Sequence, residues 1–517
     1  MSNICSLHSL LAGQIDDLQL KRIDDLSVTG LTLDSRNVSS GMLFVALQGT
    51  QTHGMTFAKK VEELGAVAVI WEFVENIDLP ELNIPMIAVD GLSQKLGEIA
   101  DRFYGSPSQE LNMVGITGTD GKTSVSHFIA QAINAKDVDS CGVIGTLGIG
   151  LPDKLQKATH TTPDVITVHS ILQQLRDSGV KTLAMEVSSH ALDQGRVNAV
   201  QFDTAVLTNL TRDHLDYHGT VEAYAAAKEK LFYWQGLKTV VVNLDDAMGL
   251  RLAKKLSVSD IRVIGYGINE PENLPENVEK ILSVRASFDH KGITAEIVTP
   301  FGSGNLAAAI LGKFNLSNLL AVLGVLLASG YELSDALEQI QKVKTVPGRM
   351  ERVVTTTNNN TANDSVLPLV VVDYAHTPGA LEQALLAVRE HTENRLICVF
   401  GCGGDRDTGK RPLMAEKAEA LADHVIVTDD NPRTESAAGI FADIKQGFKN
   451  IDAVTFEHDR KTAILWAINK AQLGDAVLIA GKGHETVQII NEENIPFDDR
   501  VEAANIITNK IIKEKVA

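Results

Sequence analysis

Apolar residues along this chain follow two rhythms. Short, nearly unbroken runs (MLFVALQG, VAVIWEF, MIAVD, NMVGIT, TLAMEV, TAVLTNL, TVVVNLD) alternate with stretches whose apolar positions recur every three or four residues, as in GTVEAYAAAKEKLFYW. Continuous apolar strands between amphipathic helices predict an α/β fold with mainly parallel sheets covered on both faces. SVRASFDHKGITAEIVTP alternates with period two and predicts antiparallel strands, whereas LGKFNLSNLLAVLGVLLASG predicts a helix.

Turn-rich breaks divide the chain into three blocks, 1–105, 106–345 and 346–517, with boundaries at YGSPSQ and TVPGR. In the last block four apolar runs, LPLVVVDYAH, RLICVFGCGGDRD, HVIVTDDNPR and AVLIAGKGHE, each stop abruptly in polar or glycine residues. Ligands of open parallel sheets bind beyond the carboxyl ends of the strands, so these endings are expected to converge on one such crevice. TTTNNNTANDS, just before the first run, is a polar low-complexity stretch without visible chemistry.

A length of 517 residues is too great for one core and fits about three or four domains. Lys and Arg number 47 against 66 Asp and Glu, and the net charge of −19 argues against a nucleic-acid binder, though local cations can still serve anionic substrates. No apolar run reaches the roughly 18 to 20 residues that span a bilayer. MSNICSLHSLLAG lacks the basic start and long apolar core of a secretion signal, so a cytoplasmic location is expected. Four cysteines, Cys5, Cys141, Cys398 and Cys402, make neither a disulfide framework nor a zinc site.

The densest chemical signal is GITGTDGKTS, Gly115 to Ser124, between a strand-like run and a helix. Backbone N–H groups of such a turn, with the positive end of the following helix, cradle phosphate oxygens. Lys122 would reach the β and γ phosphates of ATP, and the Thr123 hydroxyl would reach Mg²⁺. The first glycine of an ordinary P-loop would fall at Ile116, so Gly115 makes this a variant.

Glu186 ends TLAMEV, where a carboxylate can either hold a metal beside the phosphate loop or cap the next helix. His214, in NLTRDHLDYHG, is expected at the adjacent strand tip as a second ligand of one cation. Lys228 shares the apolar stripe of its helix with Val221, Tyr224, Ala225, Leu231 and Phe232. Turned inward, it would become a neutral amine able to capture carbon dioxide as a carbamate; the alternative is a lysine whose head reaches water. In DDNPRTE, Asp430 can accept from an ammonium and Arg433 can grip a carboxylate, together suiting an amino-acid end, unless they form a solvated turn.

In this order GITGTDGKTS, HTTPD, MEVSSHAL, NLTRDHLDYHG, AAAKEKLF, LGKFNLSNLLA, VVDYAHTP, GCGGDRDTGKRPLM, DDNPR and GKGHE resemble the Mur ligase family over nearly the whole chain, and LDSRNVSSGMLFVALQG resembles its uridine-nucleotide domain. The resemblance implies an N-terminal α/β uridine-nucleotide domain, a central P-loop domain and a C-terminal Rossmann-like domain. Within the family the motifs are similar to the branch that adds meso-2,6-diaminopimelate to UDP-N-acetylmuramoyl-L-alanyl-D-glutamate, an ATP-dependent step of peptidoglycan precursor synthesis. Leu33, Ser35, Thr50, Gln51 and Thr52 would hold the UDP part, and His160, Thr161, Thr162, Ser188, Gln194 and Arg196 the muramoyl-dipeptide part. His160 stands where relatives often carry Asn, and so does Asp120.

ATP would lie on Gly115, Thr117, Gly118, Thr119, Asp120, Gly121, Lys122, Thr123 and Ser124, with Asn318, Arg349, Asp373 and His376 approaching its adenosine and phosphates. Thr123, Glu186, His214 and a carbamylated Lys228 would hold Mg²⁺, and Lys122, Lys228 and His214 would be catalytic. Arg406, Asp430, Asn431, Pro432, Arg433, Gly481 and Glu485 would bind diaminopimelate. The carboxylate of D-glutamate would attack the γ-phosphate, and the diamino acid would then displace phosphate from the acyl phosphate within closed domains. A monomer without nucleic acid or membrane span is expected. The rivals are a lysine-adding relative, a folylpolyglutamate-synthase-like ligase and a P-loop switch protein; LDSR and DDNPR argue against the first two.

Overall fold

A computed structural model describes residues 3–516 apart from 50, 51, 76, 159, 355–366 and 492. TTTNNNTANDS, Thr50 and Gln51 therefore lie outside the described residues. The chain forms two compact units, Met1–Lys280 with Gly324–Tyr331 and Ile281–Leu323 with Glu332–Ala517.

In the first unit, strands Gly30–Thr32, Met42–Ala46, Ala68–Glu72 and Met86–Val89 form a parallel four-stranded sheet. A larger sheet runs Gly148–Gly150, Cys141–Gly145, Thr182–Glu186, Asn112–Thr117, Thr204–Leu207, Thr239–Asn243, Arg262–Gly267, and is parallel except for its first strand. Thr182–Glu186, Thr204–Leu207 and Thr239–Asn243 are buried at every residue, as strands sandwiched between helix layers must be.

One face of the N-terminal sheet is covered from within its own block, by a cluster with Phe44, Met55, Val61, Val69 and Trp71, whereas the other face is not closed by that block alone. Its apolar cluster, with Leu7, Leu43, Ile70, Leu96 and Phe103, is completed by Val165 and Ile166 of helix Val165–Asp177 from the central block. Gly97 packs so closely that an added Cβ would meet the Asn198 carbonyl, and Asn198 Nδ2 donates to Gln94 O (3.1 Å).

In the second unit, Glu279–Asp289, Gly292–Thr299 and Gly302–Ala308 make an antiparallel meander, and Gly292–Thr299 alternates buried and exposed residues after its first pair. The four apolar runs of the last block become strands Leu369–Asp373, Leu396–Phe400, His424–Val427 and Ala476–Ala480, all parallel, with Ala476–Ala480 in the middle. Alternate residues feed opposite layers: Val371, Cys398, Phe400, Val427 and Leu478 on one face, Val370, Val399, Ile426, Val477 and Ile479 on the other. Each strand is followed by a sharp turn; in YAHTP, Thr377 caps helix Pro378–Arg389 through the Ala380 N–H (3.3 Å), with Pro378 at its first position. Among the described residues no helix is long and apolar enough to cross a membrane.

Candidate active site

Strand Asn112–Thr117 runs through the middle of its sheet into the loop at Gly118, and helix Lys122–Asn134 starts beyond it. Gly118 and Gly121 have φ of +153° and +82°, which other residues rarely adopt. The loop is braced from one side: the N–H groups of Thr119 and Asp120 donate to Asn209 O (3.0 Å) and Asn209 Oδ1 (2.9 Å), and Thr208 Oγ1 donates to Asp120 O (2.6 Å). No side chain caps the helix, so its first N–H groups are left for an anion at the positive end of the dipole. An added Cβ on Gly118 would run into the Thr208 hydroxyl. Gly118→Ala is therefore expected to cost about 2 kcal/mol or more of stability through overpacking and backbone strain. Urea unfolding checks this, and an unchanged midpoint would contradict it.

Two lysines converge on this loop. Lys122 Nζ donates to Gly118 O (2.8 Å) and Thr119 O (2.7 Å), while Lys228 Nζ donates to the same Gly118 O (2.7 Å). Burial lowers the pKa of both, and for Lys228 burial and the neighbouring Lys122 charge bring it down to about 6. Lys228 is 1% exposed, so its head does not reach water. Thr220 caps its helix through the Ala223 N–H (3.1 Å), and Tyr224, one turn earlier, lays its ring 4.5 Å from Lys228 Nζ and its hydroxyl 3.2 Å from Thr119 Oγ1.

Glu186 is fully buried; burial raises its pKa against the opposing Thr146 amide, the Lys122 charge and the Thr123 hydroxyl. Thr123 Oγ1 donates to Glu186 Oε2 (3.0 Å) and the Thr146 N–H to Oε1 (2.9 Å). The following helix Ser189–Asp193 is capped by Ser188, not by Glu186. A carboxylate and a hydroxyl held together beside a phosphate loop form the oxygen-rich donor set that Mg²⁺ prefers.

The expectation that Glu186 and His214 sit on adjacent strand tips needs correction. The phosphate-loop strand lies between Thr182–Glu186 and Thr204–Leu207, so the two residues flank the loop. His214 stands beyond the strand end with φ +52°, its ring against His190 (4.9 Å between centroids) and Tyr224 (6.0 Å). Among the described residues no three His, Cys, Asp or Glu side chains converge as a preformed metal cluster.

Next to Glu186 a polar group links Thr161, Thr162, Ser188, Gln194 and Arg196. Thr161 Oγ1 lies 3.0 Å from Thr146 Oγ1, and Thr162 Oγ1 donates to Glu186 O (2.8 Å). Arg196 Nη1 donates to Thr162 O (2.9 Å) and its Nε to Gln194 Oε1 (2.8 Å). Thr162 Oγ1 also accepts from the Ser188 N–H (3.2 Å), and His160 is exposed. A cavity of about 460 Å³ opens in the same unit, lined by Leu33, Asn37, Gln156 and Ser170 among others, the size of a small-molecule site. Ser35, next in sequence to the lining residue Asp34, is buried at the start of a short helix that Asp34 caps, and Thr52 is exposed.

The second unit gathers its own cluster at the carboxyl ends of its parallel strands. Asp430 is buried, and among the described residues its carboxylate takes no hydrogen bond; burial raises its pKa, opposed by the Arg460 and Lys482 charges. Gly481, with φ +121°, leaves room for it, since a Cβ there would meet Asp430 Oδ2. Asn431 Nδ2 donates to Glu485 Oε2 (2.8 Å). Arg433 is half-buried with φ +52°, and its Nη1 donates to Gly404 O (2.7 Å). Gly404 N–H reaches Asn431 O (2.9 Å), and an added Cβ on Gly404 would strike the buried Pro432 at its carbonyl. Arg406 is exposed and donates to Asp405 O (3.0 Å).

Elsewhere in this unit, Arg349 lies over the Tyr374 ring (5.2 Å), His376 Nδ1 is 2.8 Å from Tyr374 O, and Asp373 Oδ2 accepts from the Met350 N–H (2.7 Å). Burial raises the Asp373 pKa against that amide and the Arg349 charge. Asn318 is buried and donates to Asn315 Oδ1 (3.0 Å).

Sequence reasoning passed over several of these supports. Lys482 is wholly buried and donates to Asn431 Oδ1 (3.0 Å), Glu485 Oε2 (3.0 Å) and Val487 O (2.6 Å). Arg411, 1% exposed, ties the GGDRD loop to the DDNPRTE turn through Glu435 Oε2 (2.9 Å) and Gly403 O (3.2 Å). A lysine between two glycines after an apolar strand was a readable sign for the first; Arg411 gave none, because long-range ion pairs leave no local pattern.

Sequence profiles of the family match most of the chain: the Mur ligase family catalytic domain over 27–104, the Mur ligase middle domain over 116–326, and the Mur ligase glutamate ligase domain over 348–483. The UDP-N-acetylmuramoyl-L-alanyl-D-glutamate–2,6-diaminopimelate ligase of Pseudomonas aeruginosa is 50% identical over 92% of this chain and 94% of its own length. The ligase of the same name from Coxiella burnetii is 46% identical over 93% and 95%. A solved structure of a UDP-N-acetylmuramoyl-L-alanyl-D-glutamate–2,6-diaminopimelate ligase superposes with a TM-score of 0.74 at 36% identity, covering 98% of this chain and 99% of the other. Likeness of this extent, through every block of the sequence and in three dimensions, makes the chain a member of the Mur ligase family.

Proposed function

We propose that the chain is a cytoplasmic, monomeric, ATP-dependent ligase that joins the D-glutamate carboxyl of UDP-N-acetylmuramoyl-L-alanyl-D-glutamate to an amine of meso-2,6-diaminopimelate, releasing ADP and phosphate. The turn from Asp430 to Arg433 carries this reading: a buried carboxylate that takes no hydrogen bond among the described residues, and a guanidinium three residues on, suit the ammonium and a carboxylate of an amino acid. Half identity to a diaminopimelate ligase over 92% of the chain supports the same amino acid.

In this reading residues 1–105 serve UDP, 106–345 serve ATP and 346–517 serve the diamino acid. The cavity beside Leu33 takes the uridine, helped by Ser35, Thr50, Gln51 and Thr52. Thr161, Thr162, Ser188, Gln194 and Arg196, with His160, hold the muramoyl-dipeptide. Asn318, Arg349, Asp373 and His376 serve the adenosine and its phosphates. The residues for Mg²⁺ are Thr123, Glu186, His214 and the carbamate of Lys228; the ion would supply charge neutralisation on the β and γ phosphates.

The loop amides hold the phosphates in line, and Lys122 moves from its two carbonyl acceptors to the γ-phosphate as negative charge builds there. The glutamate carboxylate oxygen bonds to phosphorus and ADP leaves. The neutral amine then attacks the acyl carbon, phosphate departs, and the amine's extra proton is lost to solvent. Arg406, Asn431, Pro432, Gly481 and Glu485 orient the diamino acid around Asp430 and Arg433.

Incubating the protein with UDP-muramoyl-dipeptide, ATP and either diaminopimelate or lysine, then weighing the product, tests the proposal. A diaminopimelate adduct is expected. Equal lysine incorporation would sink the specificity, and ADP release indifferent to the muramoyl substrate would favour a switch protein. Arg433→Ala should raise KM for diaminopimelate about 10- to 100-fold, the value of a hydrogen bond to a charged group at a half-buried site. A fully buried pair would cost more. Steady-state kinetics checks this, with KM for ATP as the unaffected control.

A further inference from the structure

The carboxylate of Asp430 sits near a guanidinium that it does not hold. Arg460, first residue of helix Arg460–Lys470, donates from Nε to Asp499 Oδ1 (2.7 Å) and from Nη2 to Asp499 Oδ2 (2.7 Å). Both side chains are 0% exposed. The same guanidinium reaches Ala480 O (3.1 Å) and Asp429 O (3.4 Å), the carbonyls directly before Gly481 and Asp430. A Cβ added at Gly481 would meet Asp430 Oδ2 on one side and lie 3.9 Å from Arg460 Nη2. Asp499 opens the C-terminal helix Asp499–Val516, where its carboxylate also faces the positive end of the helix dipole.

The other nearby cation is also engaged: Lys482 Nζ is taken up by Asn431, Glu485 and the Val487 carbonyl. Arg460 and Lys482 on one side, and Glu485 and Asp499 on the other, are the charges that act on Asp430. A buried guanidinium without a partner is strongly unfavourable and turns to the nearest carboxylate. Without Asp499, that carboxylate is Asp430.

We infer that Asp499 is a positioning residue: by occupying the fork of Arg460 it keeps Asp430 clear of that guanidinium and open to the ammonium of the incoming amino acid. The inference rests on the proposed role of Asp430. It makes the first turn of the C-terminal helix part of the amino-acid site, although Asp499 itself touches no substrate.

The test compares KM for the amino acid, for ATP and for the muramoyl substrate in the full-length enzyme. Asp499→Asn is expected to raise KM for diaminopimelate by on the order of tenfold or more, because the ammonium must now displace a guanidinium. The other two KM values should stay within about twofold. Asp499→Glu should largely restore the normal value. The decisive arm is Asp499→Asn combined with Arg460→Met, which removes the competitor and should bring KM back toward normal.

A merely structural pair would make that double variant worse, and this result, or an equal rise in all three KM values, would overturn the inference. Should Asp499→Asn fail to fold in a thermal melt, Arg460→Lys carries the test. Its ammonium cannot fork onto Asp499, so an intermediate rise confined to the amino acid is expected, and an unchanged KM overturns the inference. An unaltered enzyme that ligates lysine fails the proposed substrate alone, and the comparison is then read with lysine. One that ligates no amino acid fails the proposed function and this inference with it.

Discussion

Lys228→Ala is expected to lose ligase activity by about 10²- to 10³-fold, the scale of removing one preorganised charge from a phosphoryl-transfer site. Added bicarbonate, formate or acetate should restore part of it. Carbon dioxide is captured by a neutral amine, and burial with the adjacent Lys122 charge brings the Lys228 pKa down to about 6. At neutral pH the amine is therefore mostly unprotonated. As pH falls through about 6 it gains a proton, so carbamylation and the activity that depends on it should fall over that range. A small carboxylic acid would place an oxygen pair where the carbamate stood, provided that alanine leaves the space open. Undiminished turnover in Lys228→Ala would refute the role, and a loss that no carboxylate repairs would refute the carbamate.

Lys122→Met should lower kcat/KM by a comparable factor of about 10²- to 10³-fold. The loss should appear mainly in kcat if Lys122 meets the γ-phosphate more tightly in the transition state than in the bound ground state. Lys122 and Lys228 share the Gly118 carbonyl as acceptor, so the two are not independent. A carbamate on Lys228 would reverse the sign of their interaction, from two cations repelling to an ion pair. The double variant should therefore lose much less than the product of the single losses. Strict multiplicativity, measured under saturating bicarbonate, would show that the two lysines act separately.

Much of this architecture could be read from local pattern, and the exceptions have physical reasons. The four strands of the last block announced themselves because each is a full apolar run ending in glycine or acid residues. Cys141–Gly145 and Arg262–Gly267 escaped notice because CGVIG and RVIGYG are short and glycine-interrupted, and only their place in a parallel sheet makes them strands. The inward face of Lys228 was legible from helical period, and its burial agrees. The order of strands was not legible. Placing Glu186 and His214 on neighbouring tips assumed that consecutive strands pair, whereas the phosphate-loop strand, earlier in sequence, lies between them. Arg411, Arg460 and Asp499 lay beyond reach for a different reason: each works through a partner at least 24 residues away, and nothing in a single sequence marks such pairs.

Because Val165 and Ile166 complete the core on one face of the N-terminal sheet, its strands cannot be exchanged between related enzymes like a detachable cartridge. A chimera cut near residue 105 would set one parent's greasy socket against another's plug, and would be prone to clump or be digested by cellular proteases. Viable hybrids should carry helix Val165–Asp177 along with the donor's first hundred residues, so shuffled libraries ought to recover those two segments together.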